Sequence, residues 1–195
     1  GATATINGFR RRVQGDWSKR SASPCSRPRQ PLQTPPVPRP VHIGPIEIGL
    51  PDPIATRQFA ERLADVALPR DIIALGGTLG MGKTAFARGF IQHLTGAEEV
   101  PSPTFTLVQS YDFPAGTIWH FDLYRLNRPE DVWELGFEDA LEAGILLIEW
   151  PERLGALLPA RRLDLALRPG AGPQARRALL DARGGSDLID RLEGR

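Results

Sequence analysis

The sequence predicts an α/β fold whose mixed sheet has parallel core strands, an antiparallel edge and flanking helices. Three observations lead to this prediction. Short apolar runs alternate along the chain with stretches of helical spacing, which is the pattern of α/β proteins. Residues 71–75 form an apolar run that leads directly into a glycine-rich loop. Residues 145–148 are the most apolar run of the chain, as expected of a central, fully buried strand.

Periodicity and turn residues place each element in chain order. Strands are predicted where short runs alternate or are wholly apolar, at residues 46–50, 71–75, 106–111, 117–122, 145–148, 162–167 and 175–181. Helices are predicted where apolar residues recur every three or four positions, at residues 54–67, 84–94, 129–135, 138–142 and 187–192. Pro129 fits the first turn of its helix, where a missing N–H costs nothing.

The first 45 residues differ in composition from the remainder. Eight of the nineteen prolines lie between Pro24 and Pro45, mixed with Ser, Arg and Gln. Such a segment buries too little apolar surface to offset the entropy lost on ordering. We therefore expect residues 1–45 to be a disordered tail and residues 46–195 to form one domain.

Charge and composition exclude several classes of function. Of 24 basic and 23 acidic residues, eight basic and one acidic fall in residues 1–45, so the remainder carries a net charge of −6. A net-acidic domain lacks the broad basic face that binds DNA or RNA directly. No apolar run approaches the ~20 residues that cross a bilayer. Cys25 is the only cysteine, which fits a reducing compartment, so we expect a cytoplasmic protein without a membrane partner.

Residues 77–84 match the phosphate-binding pattern G-x-x-x-x-G-K-[ST] at every position. An apolar strand precedes the loop and an amphipathic helix follows it, as the motif requires. Glycines let backbone N–H groups surround an anion, and the helix presents its positive dipole end to the phosphates. The sequence thus predicts a P-loop NTPase domain that binds ATP and Mg²⁺. The predicted ligand-binding residues of this loop are Gly77, Leu79, Gly80, Met81, Gly82, Lys83 and Thr84.

Lys83 and Thr84 have distinct expected roles. A P-loop lysine contacts the β- and γ-phosphates, and the hydroxyl after it takes a Mg²⁺ position. Lys83 is the only lysine of residues 46–195, which supports a specific role for a compact ammonium group.

Two carboxylates follow predicted strands and are candidates for the acid beside the phosphates. Asp122 ends the strand that contains Trp119 and His120, and Glu149 ends the apolar run 145–148. We expect Glu149 to bind Mg²⁺ and both carboxylates to act in catalysis. Which of the two orients the attacking water stays open. We interpret His120 as a packed strand residue.

Two further residues complete the predicted site. Residues 102–106, Ser-Pro-Thr-Phe-Thr, follow the P-loop by about twenty positions. In nucleotide switches such a loop carries a threonine that senses the γ-phosphate, so Thr104 is the candidate. Trp150 adjoins Glu149, and from the residues alone it is either a core residue or one that lies against the nucleotide.

Taken together, these segments resemble the TsaE (YjeE) family, the ATPase component of bacterial tRNA threonylcarbamoyladenosine synthesis. The resemblance covers about residues 46–170. It runs through Leu-Gly-Met-Gly-Lys-Thr at 79–84, Val-Pro-Ser-Pro-Thr-Phe-Thr-Leu-Val at 100–108, His-Phe-Asp-Leu-Tyr-Arg-Leu at 120–126 and Leu-Ile-Glu-Trp-Pro-Glu at 147–152. Met81, where the family has a small residue, and the proline-rich tail depart from the family pattern.

The resemblance implies an ATPase that works with a TsaD–TsaB pair and meets tRNA only through that complex. It does not itself make or transfer the threonylcarbamoyl group. It also implies that Lys83 and Thr84 hold phosphate and Mg²⁺, that Glu149 is the Walker-B-like acid, and that Asp122 is needed for hydrolysis. By the same resemblance Thr104 is the switch-like residue, and Trp150 is expected to lie near the nucleotide.

Two other functions remain open from the residues alone. A P-loop kinase for a small metabolite needs a lid and an acceptor pocket, for which about 150 residues leave little room. A nucleotide-sensing module without turnover would use the same residues as an ATPase. A GTPase is disfavoured because neither Asn7 nor Asn127 is followed by the lysine of a guanine-selecting segment.

Overall fold

The computed structural model of the protein describes residues 44–194. The predicted disordered tail therefore lies outside the described residues, except for its last two positions. Seven strands occur within the described part: β1 (Ile46–Leu50), β2 (Ile72–Gly76), β3 (Val108–Phe113), β4 (Gly116–Asp122), β5 (Ile145–Glu149), β6 (Arg162–Pro169) and β7 (Arg176–Arg183). The α-helices there are α1 (Pro53–Ala64), α2 (Lys83–Thr95), α3 (Phe137–Ala143) and α4 (Leu188–Glu193).

All seven strands belong to one sheet in the order β1-β7-β6-β2-β5-β4-β3. Strand β2 pairs in parallel with both β5 and β6, and β4 pairs in parallel with β5. The outer pairings β3–β4, β6–β7 and β1–β7 are antiparallel. This confirms the predicted mixed sheet with parallel core strands, antiparallel edges and flanking helices.

The two helices nearest the predicted loop have well-defined ends. Helix α1 begins after Asp52, whose carboxylate accepts a hydrogen bond from the Ala55 N–H (2.7 Å), and Pro53 occupies its first turn. Helix α2 follows Gly82 directly and ends at Thr95; the next residue, Gly96, is left-handed (φ 69°) and its N–H donates to the Gln92 carbonyl. The chain therefore passes from β2 through one tight loop into α2.

The parallel strands are covered on both faces. Ile145 and Leu147 of β5 belong to an apolar cluster with residues of α1, α2 and α4. Leu146 and Ile148, which alternate with them, belong to a second cluster with residues of α3. Every residue of β5 is buried, as expected of a central strand with helices on both sides.

Most element boundaries agree with the sequence predictions, and the differences have local causes. Strand β3 begins at Val108, two residues later than predicted, because Leu107 has a positive φ (63°) and its N–H bonds the Pro103 carbonyl. The predicted helix at Pro129–Leu135 is a 3₁₀ helix. Two further 3₁₀ segments, Leu123–Arg125 and Pro151–Leu157, were not predicted. None of the helices in residues 44–194 is long and apolar enough to cross a membrane.

Candidate functional site

The loop between β2 and α2 turns on glycines with positive φ. Gly77, Gly80 and Gly82 have φ values of 129°, 79° and 98°, a region that disfavours side chains. A Cβ at Gly77 would lie 2.6 Å from the Leu167 carbonyl oxygen, so no larger residue fits there. A Cβ at Gly80 or Gly82 would meet nothing within 4 Å. The loop is therefore packed at its base and open at its tip.

Lys83 is buried, and its ammonium group contacts two carbonyl oxygens of its own loop and the ring of Trp150. Its Nζ donates to the carbonyl oxygens of Gly77 (2.7 Å) and Thr78 (3.1 Å). It also lies 3.7 Å from the centroid of the Trp150 ring, a cation–π distance. Burial lowers the pKa of Lys83 from its ordinary value, and the charges of Glu149, Glu152 and Asp122 oppose that shift.

Glu149 and Asp122 are brought side by side by the register of the parallel strands. Asp122 of β4 pairs with Glu149 of β5, and Glu149 pairs with Leu75 of β2, just before the loop. The carboxyl ends of adjacent parallel strands meet at one edge, which is where α/β proteins bind ligands. Both side chains are almost fully buried, so this edge carries two carboxylates beside the loop.

Glu149 bridges the loop and β4 through its two oxygens. The Thr84 hydroxyl donates to Glu149 Oε2 (3.0 Å). His120 Nε2 lies 2.9 Å from Glu149 Oε1. The interpretation of His120 as packing alone is incomplete, because its fully buried ring contacts a site carboxylate. Strand alternation was the signal available in the sequence, since residues 120 and 122 must share a face.

Asp122 is held by the segment that contains Thr104. The Thr104 hydroxyl donates to Asp122 Oδ2 (2.8 Å), and the Tyr124 N–H donates to Oδ1 (3.2 Å). Ser102 Oγ lies 2.7 Å from the Thr104 hydroxyl, which extends the chain of polar groups. Sequence reasoning did not identify Ser102 or Tyr124 as site residues, although both occur in its most informative segments.

Trp150 closes one side of the site in a strained backbone conformation. Its φ and ψ of 59° and 51° are left-handed, which costs a residue with a side chain on the order of 1 kcal/mol or more. Its ring centroid lies 4.9 Å from that of Tyr124. Backbone strain of this kind is frequent at functional sites.

These groups surround a cavity of about 280 Å³. All the predicted site residues line it except Gly77 and Met81. The lining residues are Leu79, Gly80, Gly82, Lys83, Thr84, Thr104, Asp122, Tyr124, Glu149 and Trp150. Met81 instead lines a second cavity of about 350 Å³ between α1 and α2, and its carbonyl accepts from Arg176 Nε (3.3 Å).

The site therefore contains two kinds of group: positively polarised groups that attract an anion, and oxygen atoms that can bind a metal ion. Backbone N–H groups and Lys83 lie on the loop, whereas the Thr84 hydroxyl and the Glu149 carboxylate are hard oxygen ligands of the kind Mg²⁺ prefers. In the part of the chain that the structure describes, no group of three or more His, Cys, Asp or Glu side chains is arranged to hold a metal ion.

Comparisons with known proteins place all of these residues in one matched region. A family model described as "Threonylcarbamoyl adenosine biosynthesis protein TsaE" matches residues 50–178. A Rickettsia felis protein named "tRNA threonylcarbamoyladenosine biosynthesis protein TsaE" is 40% identical over 71% of this chain and 81% of its own length. A Bacillus subtilis protein of the same name is 33% identical over 60% of this chain and 73% of its own length.

A solved structure has the same fold. The crystal structure of Bacillus subtilis YdiB superposes with a TM-score of 0.63 at 27% sequence identity. It covers 79% of this chain and 98% of its own length. The similarity therefore extends over the whole of that protein.

Proposed function

This chain belongs to the TsaE family, and from that premise we propose that it is the ATP-binding and ATP-hydrolysing component of tRNA threonylcarbamoyladenosine biosynthesis. In this proposal it acts in the cytoplasm with a TsaD–TsaB-type transferase complex and meets tRNA only through that complex. It is an ATPase and does not itself transfer the threonylcarbamoyl group.

The observation that carries the proposal is the contact between Thr84 and Glu149. It joins the end of the phosphate loop to the end of β5 (3.0 Å). Asp122 lies on the adjacent strand, and the Lys83 ammonium is close enough for both carboxylates to affect its pKa. A metal-dependent phosphate reaction needs a cation, a hydroxyl and carboxylates in one place.

The loop residues fit the triphosphate of ATP. Gly80 and Gly82 turn the backbone without filling the space beside it, so their neighbours' N–H groups are accessible to an anion. Lys83 is already buried and satisfied by two carbonyl oxygens. We assign phosphate contact to Lys83 and the loop N–H groups, and contact with the rest of the nucleotide to Trp150.

Thr84 and Glu149 fit Mg²⁺, which prefers one or two oxygen ligands from the protein and takes the rest from phosphate and water. When bound, the metal neutralises charge that develops on the phosphates. Glu149 orients toward Thr84 and is therefore the metal-side acid. Asp122 instead contacts Thr104 (2.8 Å), so we assign orientation of the attacking water to Asp122 and the sensing of the terminal phosphate to Thr104.

The experiment that tests this function measures phosphate release from ATP by the full chain, alone and with a purified TsaD–TsaB pair. We expect the pair to stimulate turnover. Lys83→Ala should lower stimulated turnover by about 100-fold or more, since it removes the cation that contacts the transferred phosphate. Lys83→Arg should rescue little, because a planar guanidinium does not fit between the Gly77 and Thr78 carbonyls.

Two outcomes would redirect the assignment. If ATP binds but turnover never responds to the pair, the chain is a nucleotide sensor or a kinase. A screen of small-metabolite phosphoacceptors then separates those two, since only a kinase transfers radiolabelled phosphate to an acceptor.

A further inference from the structure

His120 is a buried polar residue whose contact lies inside the proposed site. It is in the middle of β4, two residues before Asp122, and its side chain is fully buried. The register pairs His120 with Leu147 and Asp122 with Glu149. The imidazole and the Glu149 carboxylate therefore meet across two adjacent parallel strands.

The contact determines how the Glu149 carboxylate is oriented. Oε1 lies 2.9 Å from His120 Nε2, and Oε2 accepts from the Thr84 hydroxyl (3.0 Å). An ionised carboxylate only accepts hydrogen bonds, so Nε2 must carry the proton. With one oxygen held from β4, the other is directed at the phosphate loop.

We propose that His120 is a positioning residue that holds Glu149 in the orientation needed to act with Thr84 on a nucleotide-bound divalent cation. This inference rests on the proposed function, because it concerns the same site. His120 does not touch the nucleotide, so its effect passes through Glu149. Residues that orient a ligand carboxylate in this way are common around metal sites.

Packing alone does not account for a histidine at this position. His120 Nδ1 is buried and has no hydrogen-bond partner within the described residues, which costs on the order of 1–3 kcal/mol. An apolar residue of similar size would fill the space without that cost. The Nε2 contact with Glu149 is the interaction that a polar ring supplies and an apolar one does not.

Two amide variants separate hydrogen bonding from packing. His120→Gln carries its NH₂ group near the position of Nε2 and can still donate to Glu149. His120→Asn is also an amide, but its shorter side chain places the NH₂ near the position of Nδ1. Ile118→Val is the control for lost packing, because Ile118 is buried on the same strand and the same face.

The first readout is the Mg²⁺ dependence of nucleotide binding, measured with a fluorescent ADP analogue in Mg²⁺ and in EDTA. We expect Mg²⁺ to tighten binding in the wild type. His120→Asn should reduce that tightening by about 10-fold or more, with affinity in EDTA unchanged. In His120→Gln and Ile118→Val the tightening by Mg²⁺ should stay within about 3-fold of the wild type. The kcat for ATP hydrolysis should likewise fall most in His120→Asn, with little change in KM.

The second readout needs no loss-of-function variant. Nitrogen-15 spectra of histidine-labelled wild-type protein report which ring nitrogen carries the proton, and the signal absent from His120→Gln assigns His120. We expect the proton on Nε2. A proton on Nδ1 alone, or a His120→Gln variant as impaired as His120→Asn, would overturn the proposal.

The experiments distinguish a failure of the proposed function from a failure of the role proposed for His120. If turnover in the wild type ignores the TsaD–TsaB pair, the partner assignment is wrong, while the Mg²⁺ dependence and the spectra still test His120. If His120→Asn does not fold, the tautomer and the His120→Gln binding data decide the question.

Discussion

Asp71 and Glu149 are buried to almost the same degree, with 3% and 2% of their surfaces exposed, at opposite ends of the parallel strands. Asp71 precedes β2, and Glu149 ends β5. Asp71 pairs with two guanidinium groups, Arg191 at 2.6 Å and Arg161 at 3.6 Å, and also accepts from the Leu68 N–H. Glu149 instead contacts a hydroxyl and an imidazole.

The difference indicates that the kind of partner, more than burial, separates the structural carboxylate Asp71 from Glu149, for which we propose a functional role. Guanidinium groups are permanently charged and hold a carboxylate in a fixed pair. Arg191 also joins α4 to the segment between α1 and β2, because its guanidinium donates to the Val66 carbonyl as well as to Asp71. Glu149 has no guanidinium partner among the described residues, so its charge is free to interact with a cation beside Thr84.

The largest effect should come from breaking the structural pair. Asp71→Asn removes the closer counter-charge of Arg191, which is 16% exposed and then keeps only the exposed Asp187 at 3.3 Å, and losing a buried partner costs up to about 3–5 kcal/mol. Asp187→Asn is the matched control, because Asp187 contacts the same arginines but is 55% exposed, and we expect at most about 1 kcal/mol. Urea unfolding followed by circular dichroism measures both. Equal losses in the two variants would contradict the distinction.

The next largest effect should come from Glu149, whose substitution should lower ATP turnover with little loss of stability. Glu149→Gln removes the charge from the site but keeps its shape, and we expect partner-stimulated turnover to fall by about 100-fold or more. Asp71→Asn, assayed per folded molecule, should retain wild-type turnover. Glu138→Gln is the control for a change from glutamate to glutamine, because Glu138 is an exposed residue of α3. A Glu149→Gln protein that hydrolyses ATP normally would remove Glu149 from catalysis.

How much of this could be predicted from the sequence depends on the range of each interaction. Strand β5 and the loop at 77–84 follow from local patterns, because a buried run and a fixed spacing of glycines leave few alternatives. The pairing of Asp122 with Glu149 follows from strand ends that meet at one edge. The contact between His120 and Glu149 joins residues 29 positions apart and depends on register, which one sequence does not reveal.

The 3₁₀ segments show the same limit at short range. Leu123–Arg125 follows directly from β4 because Asp122 accepts the Tyr124 N–H, and the same carboxylate was predicted only as a catalytic group. Pro151–Leu157 begins after the left-handed Trp150 and bends at Gly155. A propensity argument gives no reason for a tryptophan to adopt that conformation, so the helix that follows it could not be predicted.

A smaller effect should come from Thr104, which contacts Asp122 on the functional side only. Thr104→Val removes a hydrogen bond to a carboxylate, worth about 1.5 kcal/mol, so turnover should fall by about 10-fold. In an Asp122→Asn background the same substitution should cost less than about 2-fold, since coupled residues are not additive. A full 10-fold loss in both backgrounds would mean that Thr104 acts independently of Asp122, through the terminal phosphate alone.

The smallest effect comes from comparing Arg191, the cation beside Asp71, with Lys83, the cation beside Glu149. It is a dependence of the free energy of unfolding on pH. Arg191 is paired with a carboxylate, whereas Lys83 is buried against carbonyl oxygens and an aromatic ring. This burial lowers the pKa of Lys83 below the value of 10.5 that a lysine has in the unfolded chain. Between the lowered pKa and 10.5 the unfolded chain binds more protons than the folded one. The free energy of unfolding must therefore rise with pH in that window.

Lys83→Met tests this by removing the group that titrates. The wild type should gain stability relative to Lys83→Met as the pH rises from 7 toward 10.5, because the cost of burying the ammonium is present in full at the lower pH and is relieved on deprotonation. Urea unfolding at a series of pH values measures the difference between the two proteins. A difference that stays constant, or that shrinks as the pH rises, would show that the buried ammonium is as well compensated by carbonyls and Trp150 as Arg191 is by Asp71.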